Sequence, residues 1–121
     1  MTTKDIWGPL MWKELHEASI HKSLSGFMQF IGPFGNRIPC VECKKHFKKY
    51  LYDHPIYQGV NTVKWGIDFH NSVNERLGKR VLSYSEAYSE IGYSDTNYYF
   101  YIFMMLIFLP ILIRKYVLSR K

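Results

Sequence analysis

The chain has 121 residues, of which 47% are hydrophobic and 17% aromatic, so it has enough apolar surface for one small domain with a single core. Its formal net charge of +6 is concentrated at the C-terminal end, where the last eight residues contain four basic side chains and no acidic one. A basic tail beside an apolar stretch is typical of a membrane flank, so we expect no nucleic-acid partner.

Two helices are predicted before the cysteine residues. Thr3 or Asp5 is suited to cap a first helix that has Pro9 near its start and runs to about Lys22. A second helix is expected after Ser23 or Ser25. We expect it to be broken before the cysteine segment by turn-forming residues, namely Gly32, Pro33, Gly35 and Asn36.

Two further helices follow. The third is predicted to begin near Pro39, to carry both cysteines at its start and to end before Pro55. The fourth is capped by Asn61 or Thr62 and stopped by Gly78. Between these limits its apolar residues repeat every four positions, at Trp65, Phe69, Val73 and Leu77.

A short fifth helix completes the predicted domain. Ser83 and Glu86 have the spacing of a capping box, so a helix is expected from there to about Ile91. No alternating apolar run indicates a sheet, and no internal repeat is present. The sequence therefore predicts an all-α domain over residues 1–92, followed by a linker over residues 93–97.

The C-terminal segment is predicted to be a membrane anchor. Residues from Tyr98 to Ile113 carry no charge, but as a helix they would span only about 24 Å of the roughly 30 Å hydrocarbon layer. An extension to Leu118, with Arg114 and Lys115 reaching the interface, closes the gap. We predict an anchor over 98–118 and a basic tail over 119–121; the alternatives are a buried helix and an oligomer contact.

The two cysteines of the chain, Cys40 and Cys43, lie three positions apart. Pro39 precedes them at the expected start of a helix, where free main-chain N–H groups and the positive end of the helix dipole favour a thiolate. Four lysines follow within two turns, at Lys44, Lys45, Lys48 and Lys49. These surroundings favour a redox-active pair over a metal site or an inert pair.

A zinc site is the main alternative. Its ligands would be Cys40, Cys43 and His46 with either His54 or His70, although no second cysteine pair is present and the spacing is not that of a common zinc finger. This alternative would make the protein a membrane-tethered, zinc-binding helical adaptor without redox activity.

Two other clusters flank the cysteines. The first is Trp7-Gly8-Pro9-x-x-Trp12-x-x-x-His16, which places an indole and an imidazole on one helix face. The second is Phe69-His70-Asn71-x-Val73-Asn74-x-x-Leu77-Gly78-Lys79, where a ring donor and two amides meet, as in a site for a nucleotide base and sugar. Taken singly, the first cluster is more often an aromatic core face, and the second is more often a solvated polar stripe.

In this order the three motifs resemble the augmenter-of-liver-regeneration (ERV/ALR) family of FAD-linked sulfhydryl oxidases, from about Ile6 to Ile91. The resemblance implies a four-helix bundle with a short fifth helix that binds FAD, and a homodimer. It also implies these FAD contacts: Trp12 and His16 at the flavin or its neighbouring groups, His70, Asn71 and Asn74 at the adenosine, Lys79 at the polar linker, and Gly8, Pro9, Phe47, Val73 and Tyr84 as further contacts.

The resemblance assigns different roles to the two sulfurs. Cys40 exchanges with the substrate dithiol, and Cys43 faces the flavin, so that electrons pass through the pair to FAD and then to dioxygen, which becomes hydrogen peroxide. No second cysteine pair is present to carry electrons from a bulky client. The expected partner is therefore a thioredoxin-like or other dithiol protein that is oxidised directly.

Assembly and location are expected from the same resemblance. No further cysteine is available to join subunits, so the homodimer is expected to be noncovalent. Short forms with one cysteine pair resemble those of large DNA viruses. The N-terminus lacks the apolar core of a signal peptide, so we expect a catalytic domain in the cytosol, in the host-cell cytoplasm or at the virion membrane, held by a single-pass anchor.

Overall fold

A computed structural model describes residues 3–120 of the chain, and within this range every regular element is an α-helix. The all-α fold predicted from the sequence is therefore confirmed. The elements are α1 (Thr3–His21), α2 (Leu24–Asn36), α3 (Val41–Asp53), α4 (Thr62–Arg76), α5 (Tyr84–Ile91) and α6 (Thr96–Ser119).

The starts of α2, α4 and α5 follow the predicted capping residues, whereas Thr3 and Asp5, predicted to cap the first helix, both lie within α1. Ser23 caps α2 by accepting a hydrogen bond from the main-chain N–H of Gly26, at 3.1 Å, and Asn61 caps α4 in the same way. Ser83 and Glu86 form the complete capping box at the start of α5. Each cap satisfies orphan donors with a side chain close in sequence, which is why the sequence predicted these starts correctly.

The prediction that turn-forming residues break the second helix was wrong. Helix α2 continues through Pro33 to Asn36, and the main-chain N–H of Arg37 closes it on the carbonyl oxygens of Pro33 and Phe34. A proline inside a helix costs about 3 kcal/mol. Burial of three large apolar side chains of α2, each worth about 1.5–3 kcal/mol, outweighs that cost; they are Phe27, Ile31 and Phe34.

The core lies between α1, α2, α3 and α4 and is largely aromatic. Phe47 of α3 is almost fully buried and meets Phe34 and Phe69 edge to face. Gly35 allows this approach, because a β-carbon at that position would overlap the Phe47 ring. A smaller apolar cluster, which includes Ala87, fixes α5 against α4. The bundle thereby holds the cysteine end of α3 beside α1 and α4.

Helix α6 is long and apolar enough to cross a membrane. It has 24 residues; its most apolar stretch of 18 residues has a mean hydropathy of 1.9, and none of that stretch is buried within the chain. At 1.5 Å per residue it is about 36 Å long, which exceeds a hydrocarbon layer of roughly 30 Å. It begins at Thr96, two residues before the predicted start, because Asp95 caps it through the main-chain N–H of Asn97.

Candidate active site

The two cysteines form a disulfide at the start of α3, as their position in the sequence predicted. Cys40 is the N-cap residue, and its Cα atom lies 5.1 Å from that of Cys43 in the first turn. The Sγ atom of Cys40 accepts a hydrogen bond from the main-chain N–H of Cys43, at 3.2 Å. This donor and the positive end of the helix dipole stabilise negative charge on the Cys40 sulfur when the disulfide opens.

A pocket of about 490 Å³ opens beside the disulfide. Cys43 lines it, whereas Cys40 is not among its lining residues. The other predicted site residues in its wall come from the start of α1 and from α4 and the residues after it: Gly8, Pro9, Trp12, His70, Val73, Asn74 and Lys79. The structure therefore brings the three sequence motifs together around one cavity.

The wall of the pocket contains two stacked rings. The imidazole of His70 lies parallel to the indole of Trp12, with centroids 3.8 Å apart and planes 9° apart. Phe69 packs against the same indole, with centroids 5.3 Å apart. Because the three side chains come from α1 and α4, the flat wall exists only when these helices are packed.

His16 lies behind this wall and is buried. Its Nε2 atom is 3.0 Å from Nδ1 of His70, whereas its own Nδ1 is buried without a hydrogen-bond partner. A buried N–H without an acceptor is rarer than an unpaired acceptor, so we infer that His16 carries its proton on Nε2 and donates it to His70. His70 then keeps its own proton on Nε2, as a donor at the pocket wall.

Both imidazoles are held in the neutral form. Burial lowers the pKa of His70 to about 4, and the positive charges that His16 and Lys79 can carry add to this effect. Burial also lowers the pKa of His16 below its ordinary value. At neutral pH the pair therefore acts as a hydrogen-bonded unit without charge.

The rim of the pocket carries three basic side chains, from Lys4, Arg76 and Lys79, and one acidic side chain, from Asp5. The donor set of the pocket fits FAD: flat aromatic faces suit its ring systems, the side chains of His70 and Asn74 offer polar contacts, and the rim cations complement a diphosphate. The adjoining cavity of about 120 Å³ shares His70 and Asn74 with the pocket and is lined by His16.

Four predicted cofactor contacts do not line the larger pocket: His16, Phe47, Asn71 and Tyr84. Of these, His16 and Asn71 line the smaller cavity. The Asn71 amide donates to the carbonyl oxygen of Leu82, at 2.8 Å, and accepts from the Leu82 N–H, at 3.0 Å. Phe47 belongs to the core beneath the pocket. Tyr84 donates its hydroxyl proton to Asp68, at 2.7 Å, and this bond is the main reason why its pKa rises to about 12. Their contacts with FAD stay predictions.

Several lining residues were not among the predicted contacts. Trp7 and Met11 are one helical turn apart and share the pocket with Trp12, so helical spacing alone was sufficient to include them. Phe34 and Ile38 also line the pocket. No local signal marks these two, because they come from the end of α2 and the segment after it.

The zinc ligand set proposed as the alternative is not assembled. Within residues 3–120, no three His, Cys, Asp or Glu side chains lie close enough together to hold a metal ion. The two cysteines are joined to each other instead.

Comparisons with known proteins give separate evidence on the family of the chain. The Erv1 / Alr family model matches residues 10–92. An FAD-linked sulfhydryl oxidase of African swine fever virus is 34% identical over 89 residues, covering 66% of this chain and 75% of the viral protein. A probable FAD-linked sulfhydryl oxidase of Acanthamoeba polyphaga mimivirus is 29% identical over 97 residues, covering 70% of this chain and 68% of that protein. With most of its bundle matched, the chain belongs to the Erv1/Alr family.

Proposed function

We propose that the chain oxidises the dithiols of a partner protein at Cys40 and Cys43 and passes the two electrons through FAD to dioxygen. The broader activity follows from its family: the chain is an FAD-linked sulfhydryl oxidase, and FAD is its cofactor. The observation that supports the division between the sulfurs is their position. Cys43 lines the pocket that fits FAD, whereas Cys40 caps α3 beside the exposed Val41.

The exchange with substrate begins at Cys40. A client thiolate attacks its sulfur, the bond between Cys40 and Cys43 breaks, and Cys43 leaves as a thiolate. The second client thiol loses its proton and attacks the client sulfur of this mixed disulfide, which releases Cys40 as a thiolate. The client thereby becomes a disulfide, having given up two electrons and two protons, and the cysteine pair is reduced.

When bound, FAD supplies the two-electron acceptor for the reduced pair and returns the electrons to dioxygen, forming hydrogen peroxide. The residues that would hold it are those of the pocket wall. Trp12 and His70 present flat faces, Asn74 presents an amide, and Lys4 and Lys79 place positive charge at the rim. Packing of α1 against α4 brings these groups together, and Cys43 lines the same pocket.

The proposed partner is a thioredoxin-like or other small dithiol protein. Cys40 lies at a helix start, with the exposed Pro39 and Val41 on either side of it in the chain, so a folded client can reach its sulfur. We also propose the homodimer that the family resemblance implies. Because both cysteines are used in the redox pair, this homodimer would be noncovalent.

We further propose that α6 anchors the protein in a membrane as a single-pass helix. Its length and hydropathy support this location, and Arg114, Lys115 and Arg120 near its end suit a lipid–water interface. The bundle, residues 1–92, would then lie in the cytosol of a host cell or at a virion membrane; the viral origin of the relatives supports this setting. Protease protection of the bundle in sealed membranes tests the orientation.

One purification tests the oxidase proposal. The full chain, extracted in detergent, is expected to be yellow with stoichiometric FAD. It should consume one dioxygen and release one hydrogen peroxide for each dithiothreitol oxidised. A colourless protein with stoichiometric zinc would contradict the proposal and favour the helical adaptor.

A further inference from the structure

The outer side of α3 presents an exposed surface next to Cys40. Val41, Lys44, Lys48 and Tyr52 have the spacing i, i+3, i+7 and i+11, so they share one helix face. Val41 is 69% exposed and Tyr52 is 85% exposed. The face therefore combines apolar and basic side chains and adjoins the sulfur that exchanges with substrate.

The positive charge on this side of α3 is only partly compensated. Two ion pairs neutralise half of the helix lysines, Lys45 with Glu42 and Lys49 with Asp53. Lys44 and Lys48 have no carboxylate within ion-pairing distance among residues 3–120. They are also one turn apart, a like-charge arrangement that slightly destabilises a helix. The fold itself therefore gains nothing from this pair of cations.

Stabilisation of a thiolate at Cys40 can explain the position of Lys44 but not that of Lys48. Lys44 is one turn from Cys40, close enough to act on its sulfur. Lys48 is two turns away, about 12 Å along the helix axis, which exceeds the Debye length of about 8 Å at physiological ionic strength. Lys48 therefore contributes little to the chemistry of the cysteine pair.

We propose that this face, formed by Val41, Lys44, Lys48 and Tyr52, is the docking surface for the client protein. The partner that it fits carries acidic side chains and a small apolar group beside its own dithiol. This inference rests on the proposed function, because a client thiol can attack Cys40 only when the client surface covers the residues next to that sulfur. Opposite charges would then speed the encounter and orient the two dithiols.

Three synthetic peptides test the charge preference. They contain the same reduced Cys-x-x-Cys core, flanked by glutamates, by serines or by lysines. At low ionic strength, kcat/KM for the glutamate peptide is expected to exceed that for the serine peptide about tenfold, with the lysine peptide slowest. In about 0.5 M salt the three values should converge, because exposed charges are screened.

The variant K48E is expected to abolish the preference for the glutamate peptide while it keeps the oxidation rate of uncharged dithiothreitol. The matched control is K13E, which makes the same change in net charge at an exposed position on α1 and should keep the preference. If K48E does not fold, the salt dependence of the unaltered chain decides alone.

The outcomes separate the two proposals. Equal rates for all three peptides, with normal oxidation of dithiothreitol, overturn the docking inference and leave the oxidase function intact. Equal peptide rates together with a preference for phosphatidylserine over phosphatidylcholine vesicles that K48E removes would assign the face to lipid and also overturn the docking inference. A chain that oxidises none of these dithiols contradicts both proposals.

Discussion

The imidazole of His70 stacks on the indole of Trp12 with its ring plane only 9° from parallel, although 57 residues separate the two in the chain. This contact joins the start of the sequence to the fourth helix. It makes one continuous wall from two motifs that are unremarkable when taken singly. Because His16 donates a hydrogen bond to Nδ1 of His70, the Nε2–H of His70 is the donor at the pocket wall.

We predict that His16 acts on FAD binding through His70. H16L removes the donor to His70 Nδ1 and should weaken FAD binding about tenfold, corresponding to about 1.4 kcal/mol for one lost buried hydrogen bond. H16Q offers an amide N–H in place of Nε2–H and should recover most of the affinity. Flavin fluorescence measures the dissociation constant, and imidazole ¹⁵N shifts report the His70 tautomer. If H16L and H16Q bind FAD with equal affinity, His16 does not act through its hydrogen bond to His70.

Acid should destabilise the bundle through His70. Its pKa is about 4 in the folded chain and 6.5 when exposed, so the unfolded chain binds more protons between these values. His70 therefore does not reduce the free energy of unfolding above pH 6.5. Below that pH the reduction grows as the pH drops towards 4. The difference between pKa values of 6.5 and about 4 limits the loss in free energy of unfolding to about 3 kcal/mol. Partial exposure of His70 reduces the expected loss to about 1–2 kcal/mol.

Urea unfolding at pH 7, 5.5 and 4 measures this dependence. H70F should flatten the part of the pH profile that His70 contributes. The exposed His21 provides the matched control, since H21Q should leave the profile as steep as in the unaltered chain. A profile that stays equally steep in H70F would show that another group causes the acid sensitivity.

Two glycines of α2 should respond in opposite ways to alanine. In G35A the new β-carbon would overlap the Phe47 ring, so we expect a loss of about 2–3 kcal/mol in the free energy of unfolding. G32A, in the same helix, meets no atom within 4 Å and should be neutral or stabilising by up to about 1 kcal/mol. Urea titration of both variants checks this difference; similar values would argue against the close approach of α2 and α3.

The variant C43S should separate cofactor binding from turnover. The serine hydroxyl is a poor nucleophile and cannot form a disulfide, so oxidation of dithiothreitol should fall at least a thousandfold. The pocket wall is otherwise unchanged, and the purified variant should keep its FAD and its yellow colour. Absorbance at about 450 nm and oxygen uptake measure the two properties. Loss of FAD from C43S would mean that the sulfur is part of the cofactor site.

Features that depend on neighbouring residues could be predicted from the sequence. Ser23, Asn61 and Ser83 cap their helices through main-chain groups three positions away, and Cys40 lies at a helix start for the same local reason. The break expected at Pro33 did not occur. Its local cost was predictable, but the compensating burial of Phe34 against α3 was not.

The sequence by itself therefore determined most of the helix starts, the redox pair and the motifs that identify the family. The tertiary structure decided which sulfur lines the pocket, and it showed that Asn71 binds Leu82 while His70 meets both Trp12 and His16. The physical reason is the range of the interactions. Helix caps and the helix dipole act within a few residues, whereas a pocket wall forms only when helices that are distant in the chain bury their apolar faces together.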